Sequence, residues 1–481
     1  MEVELEVEII SRQLIKPSSP TPPHLRSFKL CLLDHLIPTP YAPIILFYPP
    51  QSHTLPPLPL LLQSLTHSLS HTLTHFYPLA GKIGDEFSIE CDDEGANFIE
   101  AHVKNNCSLS QFLAHPHLVS LHKLLPCDDL MSTPKESYVG THVSNFQVNV
   151  FGCGGIAIGI CVSHRVLDGA SLSNFLKVWT SEARRKEEEV SLIVKPDLCL
   201  ATSLFPMKRS LGFRESSMAL WGSLFRKGKC VTRRFLFRNS DITNLKSQIM
   251  KKSSSLFPTR VETVSAILWK SLMDGRQNQS QQRPSLVTHL VNLRKRINDV
   301  VREKNLRAEN AIGNLLWLCF AESATKRDDD KNNNDDEIGL DALVKKLRDA
   351  ISKISSIEFV EKLASDDDGD YIIEKSIRMM CDESVRAKNG EVDHLGFTSW
   401  CNFGFYEVDF GWGKPVWVSG VGFSGSVFMN LVVLVDARFG DGIEAWVSMD
   451  EELMARLEEN HELMSYATLD PSPLAIGSDS L

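Results

Sequence analysis

The chain has 481 residues, 43% hydrophobic, 8% aromatic and 23% charged, which is longer than one core usually serves and far from the composition of a disordered chain. Its 51 Lys and Arg against 61 Asp and Glu give a net charge of −10. That balance excludes a broad basic field for DNA or RNA, so an anionic ligand would have to find a local basic patch.

From residue 14 to about 60 proline is frequent, starting with Pro17, Pro20 and Pro22, which favours an extended entry. Leu61, Leu65, Leu69 and Leu73 then recur at helical spacing and predict an amphipathic helix that stops at Tyr77-Pro78-Leu79-Ala80-Gly81. From Val143 the period is two. Phe146, Val148 and Val150 alternate with polar residues, Gly152-Cys153-Gly154-Gly155 can turn the chain, and Ile156, Ile158, Ile160 and Val162 alternate with Ala157, Gly159 and Cys161. This is a β-hairpin whose second strand ends at Ser163-His164. After Gly169, the residues Leu172, Phe175, Leu176 and Trp179 return to helical spacing, so His164-Arg165-Val166-Leu167-Asp168-Gly169 joins a strand to a helix.

Polarity rises over 182–189, and no clear period follows until about Lys229. The expected organisation is a first domain over 1–200, a linker over 201–229 and a second domain over 230–481. The second half predicts strands at 232–237, 287–292 and 427–435, with helices from Ser240 and through 264–269. The acidic runs at 328–337 and 366–370 lack the spaced ligands and fixed glycine of a calcium loop and read as solvated loops. Eleven cysteines show no C-x-x-C pair and no zinc-like spacing, which fits reduced thiols. The acidic start has no secretory character, and the longest apolar runs, 58–62 and 431–435, fall far short of the roughly 20 residues of a membrane helix. The expectation is a soluble, cytoplasmic chain.

His164 is one of 15 histidines, and a lone histidine is more often structural than catalytic. A strand end beside small residues leaves it reachable, and histidine is the residue type whose unperturbed pKa lies nearest neutrality, which suits a general base for a hydroxyl proton. Asp168 has two readings: orienting the imidazole, as in a hydrolase triad, or locking the turn by capping the helix or pairing with an arginine. The structural role is preferred. No G-x-S-x-G elbow is present. Gly420-Val421-Gly422-Phe423-Ser424-Gly425 matches a bare nucleotide-loop pattern but lies between two strand-like runs, and is read as a glycine-rich hairpin. Asp409-Phe410-Gly411-Trp412-Gly413 is a tight, packed loop. Asn292-Leu293-Arg294-Lys295-Arg296 is a local basic cluster, suited to phosphate, to a buried carboxylate or to simple solvation.

The two segments around His164 and Asp409, in that order and in separate halves, resemble the plant BAHD acyltransferases. Supporting segments follow the same order: Phe76-Tyr77-Pro78-Leu79-Ala80-Gly81, Pro258-Thr259-Arg260-Val261-Glu262, Gly313-Asn314 and Thr398-Ser399-Trp400. The opening and the block from Phe397 to Pro415 are most similar to the branch that acetylates alkaloid alcohols. The resemblance implies an α/β fold of two similar-sized domains, each a mixed sheet with flanking helices as in chloramphenicol acetyltransferase, with a solvent channel between them. It implies His164 as general base and Thr398 and Trp400 as oxyanion donors. Asp168, Gly169, Asp409, Gly411, Trp412, Gly413 and Arg294 would be structural, with Arg294 expected to pair with Asp409. Acyl-CoA, acetyl-CoA foremost, would be a co-substrate, with no resident cofactor and no metal. The partner would be a small-molecule alcohol, an alkaloid or terpenoid, and the chain a monomer that uses neither nucleic acid nor membrane. A non-catalytic binding homologue and an N-acyltransferase acting on an amine are the competing expectations.

Overall fold

The computed structural model describes residues 4–476 except 38–40, 51–55, 105–106, 128–138, 186–193, 208–220, 223, 275–282, 303–306, 324–337, 366–368 and 422–426. The acidic run at 328–337, most of the run at 366–370, much of the expected linker and the glycine-rich stretch beyond Val421 lie outside the described residues.

Two large sheets carry the fold. In chain order their strands are β1 (Val7–Ile15), β2 (Tyr41–Tyr48), β3 (Ala96–Val103), β4 (Ser144–Val150), β5 (Ile156–Ser163), β6 (Cys230–Arg238), β7 (Ser285–Asn292), β8 (Leu316–Ser323), β9 (Asp393–Ser399), β10 (Trp417–Ser419), β11 (Leu431–Asp436), β12 (Gly442–Asp450) and β13 (Thr468–Leu469). The first sheet runs β1-β3-β4-β5-β2-β10 and the second β8-β7-β9-β11-β12-β6-β13. Both are mixed: β3 and β4 are parallel in the first, and β7, β9 and β11 are parallel in the second. The hairpin of β4 and β5 forms as the alternation predicts, with Phe146 opposite Ile160 and Val148 opposite Ile158.

Helix α1 (Leu58–His75) buries Leu61, Leu65, Leu69 and Leu73, and packs beside α2 (Gly169–Arg184) over one face of the first sheet. The Trp179 indole of α2 is fully buried and donates to Ser68 Oγ at 3.1 Å, so this large side chain enters the core with its polar atom satisfied. Ile158, Ile160 and Val162 of β5 face this core, while Ala157 and Cys161 face Phe112, Leu124 and Trp417 on the other side. The strand that leads into His164 is therefore buried on both faces. Over the second sheet lie α3 (Asn239–Lys252) and α4 (Arg260–Asp274), whose Val264, Ile267 and Leu268 pack against Leu395, Phe397, Val432 and Leu434.

The expected glycine-rich hairpin does not form. Val418 of β10 pairs with Leu46 of β2 in the first sheet, whereas Val427-Phe428 pairs with Arg226-Lys227 and β11 begins at Leu431. Burial explains the choice. On β2 the Trp417 ring stacks on Phe47 at 5.0 Å and on Trp446 of the second sheet at 5.8 Å, and the Arg234 guanidinium lies 4.9 Å over it. A return to Val427 would leave that indole wet and the edge of β2 unpaired.

Candidate active site

His164 follows directly on β5, half-buried in the turn that leads to α2. Its Nδ1 lies 3.1 Å from Asn314 Oδ1. The Asn314 amide nitrogen donates to the His164 carbonyl at 2.7 Å and to Asp34 Oδ1 at 2.9 Å, and the Asn314 backbone N–H donates to the same oxygen at 2.8 Å. Two acceptors face the amide nitrogen, so the amide can only be oriented with its oxygen towards the imidazole. An acceptor at Nδ1 requires the proton there, which leaves Nε2 as the basic nitrogen. Asp34 is fully enclosed and also accepts from the Cys31 backbone N–H at 2.7 Å. Burial raises its carboxyl above the ordinary range, and the bonds from Asn314 oppose that rise.

Asp168 is the N-cap of α2, where its Oδ1 accepts from Ser171 N at 2.8 Å. The same carboxylate takes both arms of Arg294, at 2.6 Å to Oδ2 and 2.9 Å to Oδ1. Arg294 begins α5 (Arg294–Val301) and also donates to Ser171 Oγ and to the carbonyl oxygens of Gly313 and Ala311. This corrects the expected Arg294–Asp409 pair: the arginine is held by Asp168, which faces it across the two halves, while Asp409 is satisfied locally. Asp409 Oδ1 accepts from the backbone N–H groups of Gly411 and Gly413 at 2.8 and 2.9 Å. Both glycines have φ above +100°, a region that excludes side chains. The turn seats Phe410 4.9 Å from Trp179 and stacks Trp412 on Phe410 at 5.4 Å, so this loop pins the second half of the chain into the core behind α2.

Thr398 stands near the C-terminal end of β9, and Trp400 follows that strand. The Trp400 backbone N–H is taken by Leu434 O at 2.7 Å, so its other donor is the indole N–H. Its Cδ1 lies 3.6 Å from where a Cβ on Gly169 would stand, and Phe403 Cε2 only 2.7 Å from it, so any side chain at 169 would push the aromatic wall away from the turn. The structure thus gathers His164, Asp168, Gly169, Arg294 and Trp400 around one junction and sets Asp409, Gly411, Trp412 and Gly413 apart from it. Sequence patterns alone had not marked Asp34 at all, and Asn314 entered only as part of Gly313-Asn314. The one available signal for Asp34 is a carboxylate inside the apolar run Leu32-Leu33-Asp34-His35-Leu36.

A cavity of about 690 Å³ opens beside this junction, between α2 on one side and α5 with the ends of β7 and β9 on the other. Ala170, Asn174 and Lys177 line one wall and Asn292, Lys295 and Asn298 the other. It lies at the carboxyl ends of the parallel strands β7 and β9, where open α/β sheets take ligands. Among the described residues, no group of three or more His, Cys, Asp or Glu is placed to hold a metal ion, and no helix is long and apolar enough to cross a membrane.

A family model described as the Transferase family matches residues 5–464. The chain belongs to that family, the BAHD acyltransferases. Among BAHD proteins, limonoid 7-O-acetyltransferase of Citrus sinensis is 39% identical, over 98% of this chain and all of that one. Vinorine synthase of Rauvolfia serpentina is 35% identical over 97% and 99%. The crystal structure of vinorine synthase superposes with a TM-score of 0.75 at 32% identity, covering 96% of this chain and 98% of that one. The structure of F. sporotrichioides TRI101 complexed with coenzyme A and T-2 covers 92% and 99% with a TM-score of 0.63 at 19% identity, and shares the fold.

Proposed function

We infer that the chain transfers an acyl group, acetyl foremost, from coenzyme A to a hydroxyl of a plant specialised metabolite, with His164 as general base. The observation that carries this reading is the Asn314 amide, which commits His164 Nδ1 to a proton and leaves Nε2 to accept one. Nε2 takes the hydroxyl proton as the alcohol oxygen bonds to the thioester carbonyl carbon. The tetrahedral oxyanion then collapses, the C–S bond breaks, and the thiolate leaves with the proton from the imidazolium. The Thr398 hydroxyl and the Trp400 indole N–H are assigned to the oxyanion, since the Trp400 backbone N–H is already used. Support for the acceptor class comes from the relatives, two of which are named limonoid 7-O-acetyltransferase, from Citrus sinensis, and epi-neemfruitin B 7-O-acetyltransferase, from Melia azedarach, each 39% identical. The acceptor is therefore read as a polycyclic terpenoid alcohol ahead of an alkaloid. The reading places a monomer in the cytoplasm, where eleven free cysteines are at home.

The test is thiol release from acetyl-CoA with a panel of terpenoid and alkaloid alcohols and amines. The expected result is turnover with an alcohol, lost by roughly 10²–10⁴-fold in His164→Ala with coenzyme A binding retained. Turnover unchanged in His164→Ala would end the assignment of the base, and turnover with amines alone would replace O- by N-transfer.

A further inference from the structure

The thiols of Cys127 and Cys161 meet at a place that the chemistry at His164 does not use. Cys161 lies on β5, buried and three residues before His164, while Cys127 is half-buried. The face of β5 that turns away from α1 and α2 is covered by a segment that starts at Cys107. It forms a short helix (Leu109–Ala114) and a 3-10 stretch (Leu118–Leu124), and buries Phe112, Leu121, Leu124 and Leu125 with Ala157 and Cys161. The far end of the segment is tied to the sheet through its backbone. Leu124 O accepts from Asn149 Nδ2 at 2.9 Å and Lys123 O from Gln147 Nε2 at 3.1 Å, both side chains belonging to β4. A Cβ at Gly159 would stand 2.0 Å from Leu124 O, so β5 has glycine where the segment presses on it. Gly159 and Cys161 share that face of the strand. Two residues beyond Leu125, Cys127 reaches Cys161: the two thiols are hydrogen-bonded, and the Cys127 backbone N–H bonds to the same sulfur. Burial holds the Cys161 thiol protonated well above its ordinary range, and the contact with Cys127 acts in the same direction. The inner sulfur is therefore a poor first nucleophile, and the half-buried outer one is the point of entry for a reagent.

We propose that Cys127 and Cys161 are a reversible disulfide site, formed by exchange with a low-molecular-weight disulfide of the glutathione class, which staples the covering segment to the strand that carries His164. Cys127 loses its proton to water and attacks one sulfur of the reagent, whose S–S bond breaks to release one thiolate. Cys161 gives its proton to that thiolate, attacks the Cys127 sulfur of the mixed disulfide and expels the second thiolate, which takes up the proton that Cys127 had lost. Two protein thiols are thereby oxidised by two electrons, and one external disulfide is reduced to two thiols. A reducing pool returns the pair to thiols by the reverse exchange. β5 is paired along its length with β2 and β4, so the end of the segment makes the closure from contact to an S–S bond of about 2.05 Å. The loop so closed contains the whole of β4, and a bridge across it restricts the unfolded chain more than the folded one.

The test uses the full chain, reduced, equilibrated with oxidised glutathione, alkylated under denaturing conditions and mapped by peptide mass spectrometry. The expected product is a peptide linking Cys127 to Cys161, with the melting point raised by roughly 3–8 °C and both changes reversed by dithiothreitol. The exposed Cys153 and Cys199 take single glutathione adducts under the same treatment. Cys127→Ser separates those adducts from the staple: in that variant the linked peptide is absent and the melting point does not rise. Wild-type protein in which Cys127 ends as a glutathione adduct beside an alkylated Cys161 would overturn the proposal. So would an equal rise in melting point in Cys127→Ser.

Discussion

Replacing Asp168 by alanine tests whether the second fixed residue of the His164 segment belongs to the chemistry or to the frame. Its side chain and that of Arg294 are 4% and 5% exposed, so the substitution leaves a guanidinium without its counter-ion in a nearly dry site. Removing one member of a buried pair costs about 3–5 kcal/mol. Four other acceptors remain for Arg294, at Asn292 Oδ1, Ser171 Oγ and the carbonyl oxygens of Ala311 and Gly313, which favours the lower end of that range. The lost N-cap of α2 adds roughly 1 kcal/mol. For cooperative units of half to all of this chain, a total near 4 kcal/mol corresponds to a melting point lower by roughly 4–8 °C. The Arg294→Met variant should cost a similar amount. The double variant should cost less than the sum by about 1.5–3 kcal/mol, because neither partner is then left charged and alone. Thermal melts of the four proteins, with thiol release measured on the soluble fraction, close the cycle. Additive losses would refute the pair as a unit, and an Asp168→Ala protein with an unshifted melt and no turnover would move the carboxylate into the proton-transfer machinery.

Asn314→Ala removes the acceptor that holds the Nδ1 proton, and kcat is expected to fall by roughly 10–100-fold with a distorted pH–rate profile; an unchanged profile and rate would show that the tautomer needs no such support. Asp409→Ala frees two backbone N–H groups in a turn that seats Phe410 and Trp412, so soluble yield and melting point should drop by about 1–3 kcal/mol of stability while the surviving protein keeps kcat within a few-fold. Burial holds His394 down from 6.5 to about 3, with the charge of Arg226 as a secondary cause. The unfolded chain therefore takes a proton that the folded chain refuses: stability is full above pH 6.5 and falls between pH 6.5 and 3 by about 1.4 kcal/mol per unit for this one residue. Denaturant melts at stepped pH should show His394→Gln losing less over that window, and parallel curves would refute the assignment.

What the residues disclosed and what they concealed follows from the range of the interactions involved. The α1 leucines and the β4–β5 alternation are local, since each residue's burial is set by neighbours one or two turns away, and both appear where period and turn signals place them. The position of His164 at a strand end is legible for the same reason. The partner of Arg294 is not, because its carboxylate lies 126 residues back and no local pattern distinguishes Asp168 from Asp409 as its counter-ion. The hairpin at Gly420 fails similarly: two strand-like runs flank a turn-like stretch, but the burial of Trp417 against Phe47 and Trp446 outweighs the short connection. Asp34 is concealed for a further reason, since its role is to satisfy an amide 280 residues away.

These long-range contacts give the two halves of the chain unequal duties at one histidine. The first half supplies the strand that presents His164 and the helix cap that fixes the turn after it. The second half supplies Asn314, which sets the imidazole proton, and Arg294, which neutralises the cap. Asp34, from the first half, closes the circuit by gripping Asn314 through both its amide and its backbone. An imidazole aligned by one half alone would still lose its tautomeric preference if the halves separated by even one hydrogen-bond length, because each link in the set spans the seam. The β10 strand and the Asp409 turn oppose that separation, burying Trp417, Phe410 and Trp412 of the second half in the core of the first. The loop around Asp409 thus serves the proposed base at a distance, by holding the seam on which the orientation of the His164 proton depends.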